Sequence, residues 1–102
     1  MHSSEFDSYI IYHEEKPNGK EKAVITCFFE GGTVGFISFY NGELPRPEVL
    51  PHGVMKLAFH LDRIQEIVDT IRMEKPLFIS VIGDKSVVST VREPVGEQEK
   101  SK

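Results

Sequence analysis

The chain has a single cysteine, no tryptophan and no excess of basic residues. One Cys cannot close an intramolecular disulfide, which excludes the stapled secreted scaffolds that replace a core with cross-links. No apolar run approaches the ~20 residues that a membrane-spanning helix needs. The opening Met1-His2-Ser3-Ser4-Glu5-Phe6 lacks the basic and then apolar stretches of a secretory signal. The expected setting is therefore cytoplasmic, without a membrane partner. Twelve Lys and Arg stand against sixteen Asp and Glu, for a formal net charge of −4. That balance works against generic polyanion binding, which needs local positive charge. There is also no internal repeat and no low-complexity core segment.

What is present is one domain's worth of chain, 102 residues of which 39% are apolar. A domain of this size buries roughly 60–70% of the surface its unfolded chain exposes, enough for one thin core. The expected organisation is a flexible N-terminus over 1–8, a single domain over 9–93 and a flexible acidic tail over 94–102. Residues 1–8 are polar apart from Phe6, and residues 93–102 read EPVGEQEKSK, with Val95 as the only large apolar residue.

Local patterns give the order of elements. Tyr9 to His13 is rich in β-branched and aromatic residues and reads as a strand. Lys16-Pro17-Asn18-Gly19-Lys20 is turn chemistry, because Pro fixes φ and Asn-Gly supplies positive φ. Ala23–Glu30 and Thr33–Tyr40 follow as strands around Gly31-Gly32, which completes an antiparallel meander. Residues 43–53 hold three prolines and read as a connecting loop, longer than the usual ~4–6 residues. Val54–His60 alternates, with Met55, Leu57 and Phe59 on one side. Asp62 and Gln65 suggest a capped helix start, Ile64, Ile67, Val68 and Ile71 recur at helical spacing, and Pro76 stops the helix near Lys75. Leu77–Ile82 and Ser86–Arg92 are the last strands, reversed at Gly83-Asp84-Lys85. The expected fold class is α+β: a curved, mainly antiparallel sheet of five or six strands, in the order β-β-β-β-α-β-β, with one packed helix.

A helix over 62–75 is about 21 Å long and about 10 Å wide. Six strands at ~4.8 Å spacing make a sheet roughly 25–29 Å across. One helix therefore hides less than half of one face, yet the strands are apolar on both. Ile25, Cys27 and Phe29 oppose Val24 and Phe28; Ile37 and Phe39 oppose Val34 and Phe36. Three coverings are open: the sheet curling on itself, a second copy, or a ligand in an aromatic groove.

No chemistry-bearing motif stands out. His13-Glu14-Glu15, His52 and His60 include metal-ligating residue types but lack metal-site spacing. Cys27 has apolar neighbours in mid-strand and reads as buried and inert. Gly31-Gly32-Thr33-Val34-Gly35 leads from strand to strand, whereas a phosphate loop leads into a helix. Leu44-Pro45-Arg46-Pro47 reads as a stiff connection. Lys16, Lys20 and Lys22 cluster at the first hairpin, and Tyr9, Tyr12, Phe28, Phe36 and Tyr40 supply ring faces on neighbouring strands. Basic groups beside stacking platforms are what single-strand nucleic-acid binders use. Glu14, Glu15 and Glu21 lie among those lysines and cancel much of the local field.

In the order of its elements, residues 9–75 resemble the single-stranded-DNA-binding transcriptional regulator fold, to which Whirly-type plant regulators and the positive transcriptional coactivator belong. The resemblance is anchored at Pro17-Asn18-Gly19-Lys20 and at the junction Phe59-His60-Leu61-Asp62. It implies curved sheets that bind single strands and helices that pair subunits. This chain departs from it in being acidic and in ending on two strands and a tail. The function expected from the residues is a small non-catalytic binding or assembly module acting as a homodimer, without cofactor or metal. A single-strand nucleic-acid binder is the alternative, and an enzyme built on the histidines a third.

Overall fold

The computed structural model describes residues 1–90. Among them lie eight strands, β1 (His2–Phe6), β2 (Ser8–His13), β3 (Glu21–Phe29), β4 (Gly32–Tyr40), β5 (Glu48–Val49), β6 (Met55–His60), β7 (Leu77–Ile82) and β8 (Lys85–Ser89), and one helix, α1 (Ile64–Met73). The fold is α+β and mainly antiparallel. The strands form two sheets, β1-β7-β8 and β2-β3-β4-β6-β5, where a single sheet was expected.

Asp7 alone separates β1 from β2, so one bent strand serves both sheets. The bend is held by polar contacts. Asp7 N–H donates to the Phe28 carbonyl at 2.8 Å, and Asp7 Oδ2 accepts the Glu30 N–H at 3.2 Å. Strands that switch sheets at a bend make the corners of closed or orthogonal sheet packings. At the far side the fold closes again, where Ala58 N–H of β6 donates to Ser86 Oγ of β8 at 3.0 Å. The two sheets thus enclose one core. Ala23, Ile25, Cys27, Ile37, Phe39, Met55 and Leu57 come from the larger sheet, Phe6, Leu77, Ile79 and Val81 from the smaller, and Ile67 and Ile71 from α1. The inner apolar face needs no partner.

Several expectations are corrected. Residues 2–6 are a strand, and Phe6 is 1% exposed. His2 and Ser3 are exposed and Ser4 and Glu5 half-buried, which suits a polar segment, and β7 supplies a ladder that a local reading does not contain. The strand before the helix, β6, pairs parallel with β4, so the proline-rich stretch is a crossover, with β5 pairing antiparallel on the outside of β6. The tight turn after β3 is Glu30-Gly31, at φ 53° and 88°. Positive φ at both central residues is what a type I′ hairpin turn requires. Residues 61–63 form a 3₁₀ turn before α1, and Asp62 makes no cap hydrogen bond. Gln65 instead donates to Asp69 Oδ1 at 3.0 Å, one turn on. The helix ends at Met73, with Glu74 already extended ahead of Pro76. The tail expected over 94–102 and the end of the last strand lie outside the described residues.

Candidate binding face

Alternation along β2, β3 and β4 points one residue set into the core and the other outward. The strand registers arrange the outward set in rungs. Ile10 lies opposite Thr26, Thr26 opposite Phe36, and Phe36 beside Lys56. In the next rung Tyr12 lies opposite Val24, Val24 opposite Ser38, and Ser38 beside Ala58. Of these, Tyr12, Val24, Thr26, Phe36, Ser38 and Lys56 line an open groove of about 430 Å³, with Leu50, Glu14 and Glu21 completing its wall. Ile10 is 46% and Tyr12 48% exposed, which makes β2 the most exposed apolar part of this face. A sheet with one solvated face would place polar residues at these positions.

The electrostatics are mixed. Lys16 and Lys22 pair with Glu14 and Glu15 at 3.8 and 3.6 Å. Lys56 is half-buried in the groove and has no carboxylate within 4 Å among the described residues. Burial pushes the Tyr40 phenol above its ordinary value and the Glu21 carboxylate adds to the rise; the neighbouring Ser38 hydroxyl works against it, and Glu48 adds to it again. Ser38 Oγ itself is buried and has no hydrogen-bond partner within bonding geometry among the described residues.

The structure divides the residues expected to contact nucleic acid. Tyr12 and Phe36 line the groove together. Phe28 and Tyr40 are half-buried, and the alternation of their strands puts them on the same outer face. Tyr9 packs against the core instead. Lys20 is exposed on the loop before β3, and the ion-paired Lys16 and Lys22 lie near it in sequence. Ile10, Val24, Leu50 and Lys56 join the face without having been singled out as site residues. Ile10 and Val24 are signalled by the period-two pattern around Tyr12 and Thr26. Leu50 and Lys56 arrive through the parallel crossover and carry no local signal.

The remaining candidates do not assemble a site. No group of three or more His, Cys, Asp or Glu suited to a metal ion exists among the described residues, so His13, His52 and His60 do not converge. His52 sits exposed in a tight turn at φ 68°. Cys27 is fully buried, with Sγ 3.9 Å from the Ile25 carbonyl, and burial pushes its thiol up to about 12. No described helix is long and apolar enough to cross a membrane. Comparison with family models, curated proteins and solved structures gives no match.

Proposed function

We propose that this chain is a small cytoplasmic, non-catalytic binding or assembly module that works as a homodimer. One observation carries the reading: the outer face of the five-stranded sheet is apolar and half-exposed, and Ile10 and Tyr12 extend it to the sheet's rim. The inner face is filled by the chain's own smaller sheet and helix, so the demand for a partner falls on the outer face and its edge. Exposed apolar surface of this kind marks interaction sites, and two-fold homodimers are the commonest way of covering it. Light scattering across a concentration series tests the proposal. The expected mass at tens of micromolar is twice the 11.6 kDa of one chain. A mass of one chain throughout that range overturns the dimer.

A second reading, single-stranded nucleic acid on the same face, draws on Tyr12 and Phe36 sharing a groove with Lys56 and on the resemblance to Whirly-type regulators. Glu14 and Glu21 on the rim work against it. Titration of a labelled oligonucleotide at low and high salt separates the readings. Binding that weakens steeply with salt supports nucleic acid, and no binding at low salt removes it.

A further inference from the structure

We infer that the second copy docks on the free edge of β2, antiparallel and centred on Ile11, so that the two five-stranded sheets become one. The inference rests on the homodimer reading and says where and in what register that dimer forms.

Among the described residues the edge is open and its chemistry is defined. Among them β2 is the outermost strand of its sheet and pairs with β3 alone. Just beyond its end, Glu14 N–H donates to the Lys22 carbonyl at 2.9 Å. Hydrogen-bonded and non-bonded positions alternate along an antiparallel ladder. The amides of Ser8, Ile10 and Tyr12 therefore turn toward β3, and those of Tyr9, Ile11 and His13 turn to the open side.

Exposed edges are normally blunted by shortness, proline, lysine or a bulge. The opposite edge of this sheet obeys the rule: β5 has two residues and lies between Pro47 and Pro51. In the smaller sheet, β8 begins at Lys85, and its Ser86 is tied back to β6. β2 has none of these devices. Its six residues, Ser-Tyr-Ile-Ile-Tyr-His, hold no Pro and no Lys, and its register with β3 is unbroken from Ser8 to His13.

The edge is also its own complement. A two-fold axis at Ile11 places Ile11 opposite Ile11 of the second copy and Tyr9 opposite its His13. Three bonded pairs, each exchanging two hydrogen bonds, then use every edge-facing group of the strand. The same axis sets Ile10 against Tyr12 of the second copy, twice, in the closely spaced non-bonded positions. The most exposed apolar side chains of the face thereby cover one another and join its two grooves across the axis. At either end the register carries Asp7 toward Glu15 of the second copy, whose charge Lys22 offsets only in part, at 3.6 Å. That repulsion confines the pairing to the strand and, with a net charge of −4 on each chain, makes the dimer tighten as salt screens it. Nucleic-acid binding has the opposite salt dependence.

Sedimentation velocity on the full chain and two variants tests this. His13→Pro removes an edge-facing N–H from an exposed residue without touching the β3 ladder. Tyr12→Lys places a charge in the covered stripe. Each is expected to raise the dimer dissociation constant at least ten-fold with the circular dichroism spectrum unchanged, and added salt is expected to lower that of the unaltered chain. Mixing Ile10→Cys with Tyr12→Cys protein under oxidation is expected to trap a mixed disulfide dimer, with the buried Cys27 silent. A dimer unaffected by Tyr12→Lys, or no mixed disulfide, overturns the edge assignment and leaves the homodimer reading standing. A monomeric unaltered chain overturns both.

Discussion

Gly35 of β4 lies where the two sheets approach each other closely. A Cβ there meets Ile79 Cδ1 from the smaller sheet and comes within 2.9 Å of the Met55 carbonyl oxygen across the parallel ladder. Ile79 is fully buried, so its methyl has nowhere simple to go. Over-packing a tight core costs about 1–3 kcal/mol, and removing glycine from a strand returns roughly 0.5 kcal/mol. Gly35→Ala should therefore destabilise by about 2 kcal/mol, a fall in Tm of roughly 10 °C for a domain of this size. Ile79→Val removes the colliding methyl and on its own costs about 1 kcal/mol. In that background the Gly35→Ala penalty should shrink to about 1 kcal/mol, because only the Met55 carbonyl contact persists. The double-mutant cycle, read from urea unfolding, should thus show a coupling of about 1 kcal/mol. Strict additivity, or a Gly35→Ala chain as stable as its parent, would refute the sheet-on-sheet closure described above.

The other predictions are more local. Ser86→Ala leaves the Ala58 amide without its acceptor, so it should cost about 1–2 kcal/mol and speed hydrogen exchange at Ala58 where the fold closes. Glu30 sits in the left-handed region at φ 53°, and Glu30→Asn should raise stability by about 0.5–1 kcal/mol, since Asn tolerates that conformation; an unchanged urea midpoint would count against the turn assignment. Cys27 keeps its proton in the folded state until about pH 12, while an unperturbed thiol loses it near 9.0. Its stabilising effect is complete below the lower value and is lost as pH rises toward the upper one, so stability should fall with pH across that window. Alkylation at pH 8 should proceed only as fast as the chain unfolds.

What the sequence made legible followed from local chemistry. The meander of β2, β3 and β4 is written in β-branched and aromatic runs broken by Asn18-Gly19 and by the glycines after Glu30. The helix is written in the spacing of Ile64, Ile67, Val68 and Ile71. β1 was illegible because His2 to Glu5 are polar, and a strand arises there only where the edge of β7 offers a ladder. The parallel placement of β6 depends on a crossover whose path no local pattern records. The same division holds for the face. Tyr12 and Phe36 were visible as rings on neighbouring strands, whereas Lys56 and Leu50 reach the groove through that crossover. Tyr9 was assigned with the other rings because composition marks it as a platform, but the alternation of β2 turns it inward.

Amide hydrogen exchange on β2, followed as protein concentration is raised through the dimerisation range, addresses edge pairing most directly. Ile10 and Tyr12 amides, directed to β3, serve as internal controls and should be protected at every concentration. Tyr9, Ile11 and His13 amides should exchange fast in dilute protein and slow together as the dimer forms. Fast exchange of those three at concentrations where light scattering reports a dimer would contradict pairing through this edge.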